Sequence, residues 1–182
     1  MTAEKTLITI EEVEANPPEG RWELLDGELV YLAPAYLEHN YLITLIASLL
    51  NAYVNPRRLG WVFSGDTGII LRRGPDRLRA PDVCFVARDR IPGGHLPDRF
   101  TALVPDLIVE VVSPGDRRGE IEHKTAEWLR SGAQLVWIVH PRTRTVVVAD
   151  GAGQRRTLHE HDTLQGEPVL PGFSTPIAAL FA

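Results

Sequence analysis

Four polar side chains in this sequence stand where their neighbours call for apolar ones. Asp82 opens the apolar segment Pro81–Ala87 (PDVCFVA), and Glu110 is embedded in Asp106–Val112 (DLIVEVV). Lys124 lies between Ile121 and Trp128 on the apolar stripe of Gly119–Arg130 (GEIEHKTAEWLR). His39 lies one turn before Ile43 on the apolar stripe of Ala35–Tyr53 (AYLEHNYLITLIASLLNAY). Taken singly, each has an ordinary reading. A mid-strand glutamate faces solvent from one side of a sheet, a lysine snorkels at the edge of a stripe, and a helix-face histidine is a hydrogen-bonded core residue. Taken as a set, they can do chemistry. Two carboxylates on neighbouring strands supply hard oxygen ligands for a divalent cation such as magnesium. A nearby ammonium can orient a water, or help deprotonate it, and can offset negative charge developing on a phosphoryl group. The set points to metal-assisted phosphodiester hydrolysis.

Other chemistries find less support. Acyl transfer lacks a nucleophile, since there is no G-x-S-x-G elbow and Cys84 lies inside an apolar strand. Neither a P-loop nor a G-x-G-x-x-G run is present, which disfavours nucleotide-cofactor enzymes. The tract His159-Glu160-His161 has the residue types of a metal site, but its alternating spacing in a polar loop is weak support for one.

These side chains need elements to hold them. Pro81–Ala87 and Asp106–Val112 read as short apolar strands separated by a Pro/Gly-rich loop over 88–105. In the second strand Leu107, Val109 and Val111 share one face, while Ile108, Glu110 and Val112 share the other. Both faces are apolar, so both are expected to be covered, and Glu110 becomes a buried or cleft-lining acid. Gly119–Arg130 reads as a helix ended by Ser131-Gly132, with Lys124 turned inward. Gln134–Val139 and Thr145–Val148 are further strands around the turn His140-Pro141-Arg142. Upstream, Thr9–Ala15 reads as a short helix, and Trp22–Leu32 as a hairpin about Asp26-Gly27. Ala35–Tyr53 reads as an amphipathic helix ended by Asn55-Pro56. Trp61–Phe63 and Gly68–Leu71 are strand candidates, and 156–182 carries weak strand signals with a final helical turn. A strand–helix–strand crossover within a run of antiparallel hairpins predicts an α/β or α+β domain around one sheet.

The length fits a single domain over 1–182, with 1–20 as an N-terminal extension carrying the short helix. No apolar run is long enough to span a bilayer, the N-terminus has no secretory pattern, and one cysteine excludes an intrachain disulfide framework. A cytoplasmic protein without a membrane partner is the expectation. The formal net charge of −5 weighs against a partner gripped by a basic surface, but the charge is unevenly spread. Residues 1–40 carry a net −7, while residues 57–90 hold eight arginines against four aspartates. Within that stretch Arg72, Arg73, Arg77 and Arg79 are candidate phosphate contacts, because guanidinium forks match phosphate oxygens. A solvated loop face is the alternative. The chain has 17 arginines and two lysines, so a lysine at the awkward position 124 stands out.

Pro81-Asp82, then VEVVSP at Val109–Pro114, then the run from Lys124 through Trp128, Gly132-Ala133 and WIV to Pro141 resemble the PD-(D/E)XK nuclease superfamily. Together with ELLDGELV at Glu23–Val30 and the helix opening on Glu38-His39-Asn40, they more closely resemble the Uma-two family of restriction-endonuclease-like proteins. The resemblance covers roughly residues 20–181. It implies a mixed central sheet flanked by helices, with Asp82 and Glu110 as metal-binding acids on adjacent strands. The lysine expected two residues after the second acid is replaced by Val112, and the family's lysine relocated to the next helix matches Lys124. Glu28 and His39 match positions near the site. The expected function is a magnesium-dependent DNA endonuclease, with manganese as a substitute ion and a homodimer as a possible assembly. The alternatives are a catalytically silent nuclease fold that binds nucleic acid or protein, and a metal-dependent phosphatase acting on small substrates.

Overall fold

The structure is a computed structural model that describes residues 6–182; residues 1–5 of the expected N-terminal extension lie outside the described residues. Thr9 starts the first helix, α1 (Ile10–Ala15), through a capping box. Its hydroxyl accepts from the Glu12 N–H, while the Glu12 carboxylate accepts from the Thr9 N–H. Next, β1 (Trp22–Leu25) turns back into β2 (Glu28–Tyr31) through Asp26 and Gly27, both at positive φ (56° and 79°). That is the conformation a two-residue hairpin turn demands. A Cβ on Gly27 would also meet the Leu7 Cβ at 2.7 Å, so glycine is required there twice over.

Helix α2 (Leu37–Arg57) buries His39, Leu42, Ile46, Leu50 and Val54, one face at three- and four-residue spacing. It begins later than the apolar pattern predicts and runs through Asn55-Pro56. Pro56 sits in the last turn, where the ring loses a single backbone hydrogen bond. The helix ends at Arg58, which adopts a left-handed conformation and donates its N–H to the carbonyls of Val54 and Asn55.

The strands β3 (Gly60–Ser64), β4 (Ile69–Arg72), β5 (Arg77–Arg79), β6 (Val83–Ala87) and β7 (Leu107–Val111) follow. Helix α3 (Arg118–Ser131) is closed by Gly132 at φ 116°. Then come β8 (Leu135–His140), β9 (Thr145–Asp150), β10 (Arg155–Leu158), β11 (Thr163–Gln165) and β12 (Ser174–Pro176), with a short 3-10 turn over Ile177–Leu180. Strand β5 escaped the sequence reading because its residues are arginine-rich and look like a solvated loop.

The strands form three sheets rather than the single expected one. The central sheet has six strands in the order β10-β9-β8-β7-β6-β3, and a four-stranded sheet runs β2-β1-β5-β4. The strands β11 and β12 pair by themselves. In the central sheet β7 and β8 are parallel, joined by the α3 crossover, and every other pair is antiparallel. Both faces of that sheet are covered. Leu107, Val109 and Val111 pack with the buried stripe of α2. Ile108 packs on the other side with Trp128, and Ile121 and Val112 lie against the same cluster. Burying one such leucine or isoleucine stabilises the fold by roughly 1.5–3 kcal/mol. Glu110 therefore points from β7 toward α3. A third cluster of Ile10, Leu24 and Leu78 ties α1 to the four-stranded sheet.

Candidate active site

Strands β6 and β7 are antiparallel with Val83 opposite Val109, so Asp82, just ahead of β6, stands beside Glu110. The Val111 N–H donates to Asp82 Oδ2 at 2.7 Å, and His39 Nε2 lies 3.4 Å from the same oxygen. Glu110 is held from α3: Trp128 Nε1 donates to Oε1 at 2.7 Å, and Lys124 Nζ donates to Oε2 at 2.9 Å. The α3 stripe of Ile121, Lys124, Thr125 and Trp128 makes this possible, since Trp128 and Thr125 are buried and carry Lys124 inward with them. Lys124 Nζ also lies 3.3 Å from Glu23 Oε1 on β1 and 3.4 Å from the Ala80 carbonyl oxygen.

The electrostatics follow from burial and these contacts. Burial pushes the Glu110 carboxyl up to about 7, with Asp82 and Glu23 adding repulsion and Lys124 opposing both. Burial disfavours the Lys124 ammonium too, but Glu110, Glu23 and Asp82 outweigh it and hold the group above its ordinary range. Lys124 therefore keeps its proton, and Glu110 is the member of the pair that gives one up as pH rises. Burial raises the Asp82 carboxyl, and the His39 hydrogen bond, Lys124 and the Val111 N–H together overcome it and bring it below the usual value. The Asp82 hydrogen bond raises His39 despite its burial.

The cluster continues as a ladder of alternating charges. Arg79 Nη1 lies 2.6 Å from Glu23 Oε2, and Arg79 also contacts Glu127. Glu127 contacts Arg77, whose Nη2 lies 2.7 Å from Asp26 Oδ2, and Arg72 meets Asp26 from outside. Arg73 is held by Glu11 at 2.9 Å and Asp76 at 3.0 Å. The four arginines expected to meet phosphate are thus engaged by carboxylates, and Arg79 is buried. The physical reason is that a buried carboxylate needs a cation, and a guanidinium fork satisfies it as well as it does phosphate. Asp82 opens onto a cleft of about 380 Å³, whose walls include Arg21, Asn40, Ile43, Asp66 and Pro81.

A protein-family model described as "Uma2: Putative restriction endonuclease" matches residues 9–179. The chain belongs to this family. Among solved structures, the fold is shared with one described as "a putative nuclease belonging to DUF820" from Anabaena variabilis. The two are 20% identical with a TM-score of 0.81, over 96% of this chain and 97% of that one. At that identity the likeness establishes the fold. No protein with a curated description matches the chain significantly. No helix among the described residues is long and apolar enough to cross a membrane.

Of the side chains singled out by sequence, Asp82, Glu110, Lys124 and His39 come together. Glu28 lies exposed on the outer strand β2, opposite Leu25. The acid of that stretch that reaches the cluster is Glu23, which is buried. Its signal in the sequence was slight: an acid inside the WELL strand, flanked by two apolar residues on its far side. Glu127 gave less, as one charge among several on α3. His159 and His161 stack at 6.1 Å, Glu160 pairs with Arg144 at 2.5 Å, and His161 lies 3.7 Å from Asp162. Cys84 is buried, and desolvation followed by the charge of Glu110 pushes its thiol up to about 12.

Among the described residues no three His, Cys, Asp or Glu side chains are grouped to hold a metal ion by themselves. A site of fewer protein ligands would be compatible with a hard divalent cation such as magnesium, which keeps several waters and commonly takes only one or two protein carboxylates alongside substrate phosphate. Asp82 and Glu110 could supply those carboxylates, and a divalent cation would relieve the repulsion between them.

Proposed function

We propose that the chain is a divalent-metal-dependent endonuclease of DNA. Asp82 and Glu110 would hold the ion, magnesium or manganese in its place, and Lys124 would stand in the role of the relocated lysine. The observation that carries this reading is the 2.9 Å contact of Lys124 with Glu110, beside an Asp82 fixed just ahead of the adjoining strand. When bound, the ion polarises the scissile phosphate and lowers the pKa of a coordinated water. The chain's own residues do the positioning. The Val111 N–H and His39 fix the Asp82 carboxylate, and Trp128 fixes Glu110 from the side opposite Lys124. Lys124 remains an ammonium, so it does not take a proton from water. It orients that water by donating to it and offsets the charge that builds on the phosphoryl oxygens. Glu23 holds Lys124 on its second side and sets where Nζ points.

A second reading, a silent nuclease fold that binds without cutting, is favoured by one observation: both oxygens of Glu110 are already engaged by Trp128 and Lys124. Incubation with plasmid and oligonucleotide DNA, with and without Mg²⁺ or Mn²⁺, separates the two. The endonuclease reading expects metal-dependent cleavage that Asp82→Ala abolishes and Lys124→Ala reduces by on the order of 10²-fold or more, as for loss of a group that acts at the transition state. Cleavage that persists in Asp82→Ala, or equal activity in Lys124→Ala, overturns the assignment of those residues. DNA binding without cleavage under any metal leaves the silent reading standing.

A further inference from the structure

Exposed apolar side chains flank the chain segment that supplies two walls of the cleft. Tyr31 is 63% exposed, Tyr36 64% and Leu37 91%. They bracket a single connection, 31–37, that runs from the end of β2 to the start of α2. Its middle residues, Pro34 and Ala35, are walls of the cleft onto which Asp82 opens. The same first turn of α2 sends His39 inward to Asp82 and places Asn40 in the cleft wall. Tyr31, Tyr36 and Leu37 thus neighbour in the chain the residues that wall the cleft, Pro34, Ala35 and Asn40.

The charges nearby do not suit a duplex. Binding intact double-stranded DNA rests on neutralising many phosphates with Lys and Arg. Arg21, the arginine of the cleft wall, is paired with Asp66 at 3.0 Å. Arg72, Arg73, Arg77 and Arg79 are held by carboxylates. Arg57 and Arg58 lie at the far end of α2, about 30 Å from Leu37 at 1.5 Å per residue. Single strands are gripped differently, by stacking of neutral base faces on exposed aromatic side chains, which is tolerant of sequence.

We propose that Tyr31, Tyr36 and Leu37 form a stacking rim for unpaired bases, so that the cleft takes single-stranded or locally unpaired nucleic acid in preference to an intact duplex. This rests on the nuclease reading above and names its substrate class. Tyr31 and Tyr36 are rings on which successive bases lie, and Leu37 closes the edge between rim and helix. A strand held there by its bases passes a phosphate toward Asp82.

The test measures binding and cleavage separately. In EDTA, a fluorescent oligothymidylate and a hairpin duplex of equal length are titrated with the wild type, Tyr31→Ala/Tyr36→Ala and Tyr31→Phe/Tyr36→Phe. The proposal expects the wild type to bind the single strand more tightly than the duplex. The double alanine variant should lose about tenfold or more on the single strand, as for removal of one stacked base. The phenylalanine variant should bind nearly as the wild type does. Tighter duplex binding by the wild type, an unchanged single-strand affinity in the alanine variant, or equal losses in both variants overturns it. Sedimentation of both proteins closes another route: a wild-type dimer that the alanine variant converts to monomer assigns the rim to a second copy of the chain and also overturns the proposal. Cleavage of both substrates with Mg²⁺ is scored in parallel. Absence of cleavage in the wild type, with stacking intact, counts against the nuclease reading and leaves the binding result legible.

Discussion

Replacing Lys124 by methionine keeps the aliphatic stem and removes the charge that three acids share. Nζ lies 2.9 Å from Glu110 Oε2 and 3.3 Å from Glu23 Oε1. At an effective dielectric near 20 each attraction is about 5–6 kcal/mol before the cost of taking the ammonium out of water. Breaking a buried pair costs about 3–5 kcal/mol net. Because the Lys124 side chain is 23% exposed, the low end, about 3 kcal/mol, is expected. For a chain of this size that lowers the Tm by roughly 6–12 °C. The pH dependence carries the diagnosis. Glu110 sits at about 7 in the folded protein against an ordinary 4.5, so ionising it costs stability as pH rises through that window, and Lys124 offsets the cost. Without Lys124 the folded value climbs further. The variant's deficit is therefore smaller near pH 5, where Glu110 holds its proton and the lost contact with Glu23 remains, and largest near pH 8. Urea denaturation followed by circular dichroism in EDTA across pH 5–8.5 reads this directly. Adding Glu110→Gln removes the stranded charge and should recover about 2 kcal/mol of the loss at pH 8, a coupling typical of residues in contact. A deficit that is flat in pH and unrelieved by Glu110→Gln refutes the view that Lys124 neutralises Glu110.

The other expectations follow from the same contacts. Mg²⁺ should raise the Tm of the wild type, more at pH 8 than at pH 6 because Glu110 is then ionised, and Asp82→Asn should remove the shift; a thermal-shift titration decides it. His39 is raised above 6.5 by Asp82, so their attraction is fully present below that value and fades as pH rises through the folded one. His39→Gln should accordingly cost about 1 kcal/mol at pH 6 in EDTA and less at pH 8.5, measured by urea denaturation. Arg79→Met strands Glu23 and Glu127 in the interior and should cost about 3–5 kcal/mol, part of which Glu127→Gln restores; additive losses in that double variant would show the two side chains to be independent.

Much of the candidate site's geometry was legible because its signals are local. Glu110 betrays itself by interrupting DLIVEVV, and the two-residue period assigns it to the face that α3 covers. Lys124 betrays itself by helical spacing against Ile121 and Trp128. Asp26-Gly27 marks its hairpin because few residues accept positive φ twice in succession. The ladder was not legible. Glu23 and Arg79 are 56 positions apart, and Arg79 and Glu127 are 48 apart. Each read alone is an ordinary surface charge, and only the packing of β1, β5 and α3 makes partners of them. The same blindness hid β5 and the carboxylate partners of its arginines. Pro56 misled for a different reason: a proline stop signal is strong inside a helix and weak in its final turn.

The ladder from Asp26 to Glu110 also constrains how this protein can change over generations. Every interior rung is a charge whose neighbours on both sides are of opposite sign, so a single substitution leaves a partner stranded in a poorly solvated place. A viable path must therefore alter two rungs nearly together, or begin at the solvent end, where Arg72 is half exposed. Variation should enter at that outer end and slow toward Lys124, which makes the ladder a gradient of mutational tolerance pointing at the catalytic candidates.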